Sequence, residues 1–170
     1  MPKQGQGQGQ SRAQPIRLKG FTIVELMIVI VITGILAAVA APSFTTMINN
    51  NRITTQTNQF ILALQIARNE AVKRGRSVTV TAIDSSSASN EWGPGWQVVD
   101  ENGNLIQRFD AVPSGLTLNS TGNIATFSFD GTGSVNNADT LTVCKSSLKG
   151  RNIIITSTGS TRLQTDINCA

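Results

Sequence analysis

A single carboxylate lies near the start of a long apolar segment of this chain. Between Phe21 and Ala41, Glu25 is the only ionisable side chain. A charged group inside a membrane-spanning helix costs about 2.5–3.5 kcal/mol on insertion scales, so a carboxylate there needs a partner. Cleavage after Gly20 would give Phe21 a free α-amine. That amine could pair with Glu25 one helical turn away, or with Glu25 of a neighbouring subunit. The spacing indicates an ion-pairing device for assembly.

Two simpler explanations of the apolar segment stay open. The small residues Ala38 and Ala40 form an A-x-A pattern, which is typical of a secretory signal peptide cleaved after Ala40. The length of the segment also suits a plain membrane anchor, since about 20 apolar residues span a bilayer. However, the segment is longer than a usual signal peptide core, and neither explanation accounts for Glu25.

The start of the segment resembles the class III signal of type IV pilins and type II secretion pseudopilins. The resemblance rests on Gly20-Phe21-Thr22-Ile23-Val24-Glu25 and the apolar run that follows. It implies that a prepilin peptidase cuts between Gly20 and Phe21 and methylates the new amino group of Phe21. It also implies that Glu25 helps to register each subunit in a filament.

The net charge of +4 does not point to a nucleic-acid partner. Four basic residues lie before Phe21, where they would hold the amino terminus in the cytoplasm. Without them, ten basic residues face ten acidic ones. The remaining charge is uneven, at about +4 over residues 49–76, −6 over 77–140 and +3 from 141 onwards. Such asymmetry can orient subunits or form a local anion site, or it can be an ordinary solvated surface.

The sequence predicts an α+β fold in which a long amino-terminal helix packs on an antiparallel β-sheet head. We expect a cleaved Gln/Gly-rich leader at 1–20, a transmembrane and assembly helix at 21–42, an amphipathic helix at 43–76 and a β-rich head at 77–170. Pro42 should kink the helix, and Gly75 should cap its end. The predicted apolar stripe of the second half comprises Phe44, Ile48, Ile53, Phe60, Leu64, Ala67 and Ala71.

The head is predicted to contain only strands, because its apolar residues alternate or form short runs between turn residues. The turn sequence Glu101-Asn102-Gly103-Asn104 predicts a hairpin between two of them. The predicted strands are 77–83, 95–100, 105–109, 116–118, 126–129, 141–144, 152–156 and 162–164.

The composition argues against an enzyme or a metalloprotein. The chain has no histidine, so neither a serine nor a cysteine nucleophile has an imidazole base, and no zinc site can be completed. No cofactor motif is present. Cys144 and Cys169 are expected to form a disulfide in an oxidising compartment. Trp92 and Trp96 are expected to pack at a strand entrance, and the adjacent acids Asp100 and Glu101 to be solvated.

The head also resembles the FimT/FimU/GspH group of minor pilins and minor pseudopilins. The resemblance is carried by 67–75, 95–96, 127–133 and 150–159. It implies a subunit in the inner membrane with a periplasmic head, which joins other minor and major pilins and primes pilus assembly. The cysteine pair favours a type IV pilus over a type II secretion system.

One branch of this group binds DNA for natural transformation through a Gly-Arg-x-Arg motif after the last turn. The matching residues here are Gly159-Ser160-Thr161-Arg162, which keep only the second arginine. That departure favours the structural branch. The remaining candidates for phosphate contacts, whose binding would depend strongly on salt, are Lys145, Lys149, Arg151 and Arg162.

Overall fold

In the part of the chain that the structure describes, one long helix precedes the strands. The computed structural model describes residues 20–86 and 90–169, so the predicted leader lies outside the described residues except for Gly20. Helix α1 spans Ile23–Arg74 and includes Pro42, so the kink expected there stays a prediction. The contacts divide the chain after Ala41 into two units, the second of which contains the head.

The end of α1 is fixed by the glycine that follows it. Gly75 has a φ of 63°, a left-handed conformation that glycine adopts without steric cost. The Arg76 amide donates to the Ala71 carbonyl at 3.2 Å, and the Gly75 amide donates to the Val72 carbonyl at 3.4 Å. This pair of hydrogen bonds is a Schellman motif, and it confirms the predicted cap.

Within the described residues, eight strands follow the helix, which confirms the predicted α+β fold. They divide into two antiparallel sheets, a division that was not predicted. The first sheet has the order β3-β2-β1-β5 and the second β4-β6-β7-β8. The last two strands are longer than predicted. The strands are β1 (Val78–Ala82), β2 (Trp96–Asp100), β3 (Leu105–Phe109), β4 (Thr117–Ser120), β5 (Thr126–Phe129), β6 (Asp139–Cys144), β7 (Lys149–Ile155) and β8 (Thr161–Asn168).

The core of the head joins one face of α1 to the inner faces of both sheets. Phe60 lies at its centre, with its ring 4.9 Å from that of Trp92 and 5.2 Å from that of Trp96. All three side chains are fully buried, which confirms the packing role predicted for the two tryptophans. The predicted stripe begins too early, however, because Phe44 and Ile48 are 62% and 50% exposed.

Candidate functional site

The apolar segment presents its side chains outwards. Within residues 21–40, the large apolar side chains are at least half exposed, from 50% at Val29 to 77% at Ile23. By length and composition, α1 can cross a bilayer. The Thr33 hydroxyl donates to the Val29 carbonyl at 2.7 Å, so this polar group is satisfied within the helix. The segment therefore offers a continuous apolar surface to lipid or to other helices.

Glu25 closes the first turn of α1. Its Oε2 atom accepts hydrogen bonds from the backbone amide and the hydroxyl of Thr22, both at 2.9 Å. The Thr22 hydroxyl in turn accepts from the Glu25 amide at 3.2 Å. This reciprocal pair is a capping box, in which Thr22 and Glu25 satisfy each other's free amides at the helix start.

The capping box leaves part of the carboxylate available. Within the described residues, the Oε1 atom of Glu25 accepts no hydrogen bond. The residue before Thr22 is Phe21, whose nitrogen would become an α-amine after cleavage at Gly20. A β-carbon added to Gly20 would meet no atom of the described residues within 4 Å, so the fold itself does not require glycine there. The arrangement can hold a carboxylate at a helix start and still present one oxygen to a cation.

The predicted disulfide between Cys144 and Cys169 is present, with the two Cα atoms 5.6 Å apart. Gly150 of β7 lies directly against it. A β-carbon added to Gly150 would lie 2.7 Å from each sulfur and 2.6 Å from the Val143 carbonyl oxygen. A side chain at this position would therefore collide with the bridge. This requirement was missed from the sequence, because it depends on a strand crossing beneath the two sulfurs.

The four basic residues considered for DNA contacts lie at separate places on the second sheet. Lys149 and Arg151 are close together on β7, where the Lys149 ammonium group donates to the side chain of Asn168. Arg162 of β8 pairs with Ile154 of β7. Ile154 is three residues beyond Arg151, so Arg162 lies about 10 Å from Arg151 along the strand direction. The fourth residue, Lys145, follows β6 and has its ammonium group beside Gly115.

An open cleft of about 520 Å³ borders the first two of these residues. Its lining includes Lys149 and Arg151 from β7, Asn50 and Ile53 from α1, and Asp166 from β8. The carboxylate of Asp166 thus lies in the same cleft as the two cations. DNA binding by Lys145, Lys149, Arg151 and Arg162 stays a prediction.

The basic end of α1 is largely neutralised within the head. Arg74 donates to Glu70 at 2.8 Å and lies 3.6 Å from Asp100, and Lys73 lies 3.6 Å from Glu70. Arg76 bonds to Glu101 in the turn between β2 and β3. Part of the uneven charge along the sequence is therefore compensated by ion pairs within the head. Each such pair contributes little to stability at an exposed surface.

Asp100 organises the β2–β3 turn. Its carboxylate accepts hydrogen bonds from the amides of Asn102 and Asn104 and from the Asn104 side chain, at 2.9–3.0 Å. These hydrogen bonds, from Asn104 above all, hold the pKa of Asp100 below its ordinary value of 3.8, and Arg74 adds to the effect. The acids predicted to be solvated thus hold the turn and the helix end together.

Asp100→Asn is expected to lower the stability of the head at neutral pH and to lose this effect in acid. A depressed pKa stabilises the folded state above the ordinary pKa, and this contribution disappears as the pH falls below about 3.8. The urea midpoints of native and variant chains should therefore differ at pH 7, and the difference should shrink as the pH falls below 3.8 and through the lowered pKa of Asp100. Asp110→Asn changes an exposed carboxylate elsewhere in the head and serves as the control. A difference that is constant across this pH range would contradict the assignment.

The helix with its apolar amino-terminal segment and the strand-only head together define a pilin-like protein. The family described as "Prokaryotic N-terminal methylation motif" matches residues 17–41. The family described as "Type II transport protein GspH" matches residues 56–159, which is more than half of the chain. The chain therefore belongs to this GspH family of pilin-like proteins.

Two solved structures share the fold. The type IV minor pilin FimU of Pseudomonas aeruginosa aligns with a TM-score of 0.59 and 22% identity, over 68% of this chain and 90% of that one. The minor pseudopilin EpsH of the Type 2 Secretion System of Vibrio cholerae aligns with a TM-score of 0.51 and 15% identity, over 67% and 97%.

Curated relatives match in sequence over a shorter region. A type IV major alpha-pilin of Moraxella bovis is 39% identical over 72 residues, which are 42% of this chain and 45% of the relative. A fimbrial protein of P. aeruginosa is 38% identical over 64 residues, or 38% and 41%. The chain thus spans less than half the length of the curated relatives it matches.

Proposed function

We propose that the protein is a minor pilin, incorporated into a type IV pilus through its amino-terminal helix and helping to prime assembly. The observation that carries the proposal is the exposed apolar segment, which begins at a capped carboxylate within a matched methylation motif. A head with its own core follows this segment. The role is structural: the helix polymerises and the head remains at the filament surface.

In this proposal, a prepilin peptidase removes residues 1–20 and methylates Phe21. Before assembly, residues 21–42 cross the inner membrane and the head lies in the periplasm. During assembly, the α-amine of one subunit pairs with the free Oε1 oxygen of Glu25 in the next. The other minor pilins and the major pilin are the partners, because they carry the same type of helix.

A minor pseudopilin of a type II secretion system is the second candidate. It is supported by the description of the matching family and by the fold shared with EpsH. The disulfide between Cys144 and Cys169 favours the pilus, following the tendency of the group stated above. A deletion strain separates the two: loss of surface pili with normal protein secretion supports a pilin, and the reverse result supports a pseudopilin.

The intact mass of the protein from its native membranes tests the processing on which both candidates depend. We expect a chain that begins at Phe21, carries one added methyl group and lacks two hydrogen atoms because of the disulfide. Gly20→Val should block this cleavage, since the valine side chain meets no described atom of the fold but enters the peptidase site. The matched change Ala40→Leu would block cleavage of an ordinary signal peptide. In the proposed processing it should still give a chain that begins at Phe21, whose mass differs from the native one only by the substitution. A native chain that begins after Ala40 would overturn the proposal.

A further inference from the structure

Arg68 differs from the other basic residues near the end of α1. Those residues each contact a carboxylate, as described above, whereas Arg68 has no hydrogen bond or ion pair within residues 20–86 and 90–169. Its side chain is half-buried in the head. Placing a guanidinium group in such a position is unfavourable unless water or an anion replaces the lost hydration. Arg68 is therefore a cation that the fold holds in place without supplying its partner.

A cavity of about 270 Å³ lies beside Arg68, and we call it the Arg68 cavity. Its lining residues include Gln65 and Thr161, neither of which makes a side-chain hydrogen bond within the described part of the head. Arg68, Gln65 and Thr161 together offer several hydrogen-bond donors to one small space. Ser160 and Gly159 complete the side formed by the turn before β8.

Two glycine turns hold the guanidinium at this cavity. A β-carbon added to Gly133 would lie 3.0 Å from the Arg68 Nε atom, so the arginine packs flat on that glycine. A β-carbon added to Gly159 would lie 2.1 Å from the Gly133 carbonyl oxygen, so the two turns are in direct contact. The turn before β6 thus supports the arginine, and the turn before β8 forms the facing wall. The cavity is a product of the fold and not of one flexible side chain.

We infer that the Arg68 cavity binds a carboxylate supplied by a neighbouring subunit, an inference that rests on the proposed filament. A guanidinium group binds a planar carboxylate through two parallel hydrogen bonds, and Gln65 and Thr161 can donate to the remaining lone pairs. The volume admits the end of an acidic side chain. This contact would fix the rotation of one head against the next, which the helix contacts alone leave free.

DNA is the weaker partner for this cavity. A duplex backbone presents one charge per about 1.7 Å of axis and is held by several exposed cations. The Arg68 cavity contains one half-buried cation, and residues 42–170 carry ten basic and nine acidic side chains, so the head has almost no net attraction for a polyanion. A single half-buried guanidinium with neutral donors beside it suits one carboxylate better.

Titration of the full-length protein in detergent micelles with sodium acetate tests the site without any filament. Sodium acetate replaces sodium chloride at constant ionic strength, and the arginine Nε–H signals are followed by NMR. We expect a saturable shift of the Arg68 signal and no such shift at the exposed Arg52 of the same helix. The side-chain amide signals of Gln65, which lines the same cavity, should report the same binding, and through them Arg68→Lys should bind about tenfold more weakly because it loses the bidentate geometry. An Arg68 signal that does not saturate, or that behaves like that of Arg52, would overturn the site. Saturation by inorganic phosphate but not by acetate would overturn the carboxylate assignment in favour of nucleic acid.

Assembly in cells tests the neighbouring subunit. Arg68→Gln should reduce incorporation into filaments by about tenfold, the effect of losing one charge-assisted contact of about 1.4 kcal/mol. The matched Arg52→Gln should incorporate normally. Acetate binding together with normal incorporation of Arg68→Gln would overturn the subunit contact. If the native chain enters no filament, the proposed function fails, whereas the acetate result stands independently.

Discussion

Glu25→Ala is expected to reduce incorporation into filaments by at least about tenfold, while making insertion of the single subunit into the membrane easier. The two effects have opposite signs because the carboxylate is a cost in lipid, of about 2.5–3.5 kcal/mol, and a benefit only where it meets a cation. Losing one desolvated ion pair of about 1.4 kcal/mol or more is sufficient for the tenfold change. Membrane-bound and filament-bound protein, measured in the same culture, give the two quantities separately.

The capping box supplies the control for this experiment, because Glu25→Gln keeps an oxygen that can accept from Thr22 but removes the charge. Glutamine is accepted at this position of a capping box. If the charge pairs with a neighbouring α-amine, glutamine should be nearly as defective as alanine. Native-like incorporation of Glu25→Gln would show instead that Glu25 acts by capping the helix, and the ion pair would have to be abandoned.

Phe60→Ala is expected to destabilise the head by about 3–5 kcal/mol, which is a large part of the stability of a domain of this size. Phe60 is fully buried, and its ring meets those of Trp92, Trp96 and Phe127 edge to face. The truncation removes apolar burial and these ring contacts, and it leaves a cavity between helix and sheets. Urea unfolding followed by tryptophan fluorescence measures the loss, since both tryptophans of the chain lie in this cluster.

Leu62→Ala is the matched control, because Leu62 is only two residues away on α1 and is 48% exposed. Its truncation should change the free energy of unfolding by no more than about 0.5 kcal/mol. Similar losses in both variants would mean that the helix does not pack on the sheets through the face described here.

The features that depend on residues close together in the sequence were predictable. The long helix, the β2–β3 hairpin and the cap at Gly75 follow from apolar spacing and turn residues within about ten positions of one another. In β1, Val78 and Val80 alternate with two threonines, and the valines are buried as the pattern predicts. The predicted strand positions therefore agree with the structure to within a few residues at most strands.

Features that depend on pairing between distant segments were not predictable. Only 162–164 of strand β8 was predicted, because the strand is almost entirely exposed and lacks the alternation that marks a strand. Its full length is defined by backbone pairing with β7. The separation into two sheets is likewise a matter of pairing order. The lack of an ionic partner for Arg68 could not be predicted either, because its surroundings depend on turns that are about 65 and 90 residues away. The pattern Thr22-x-x-Glu25, by contrast, is a local capping signal that was missed from the sequence, because Glu25 was considered only as an ion-pair partner.

The positions of the two cysteines in the chain also determine when the disulfide of the head can form. Cys144 ends β6, whereas Cys169 directly follows β8, so both later strands lie between the two sulfurs. If the head is exported and assembled as proposed, oxidation must wait until the chain has been delivered across the membrane at least as far as Cys169. A subunit stalled midway through export would carry Cys144 as a free thiol, exposed to mispairing or to recognition by the oxidative folding machinery. The bridge thereby marks those molecules whose translocation has passed this point, before any of them reaches a growing filament.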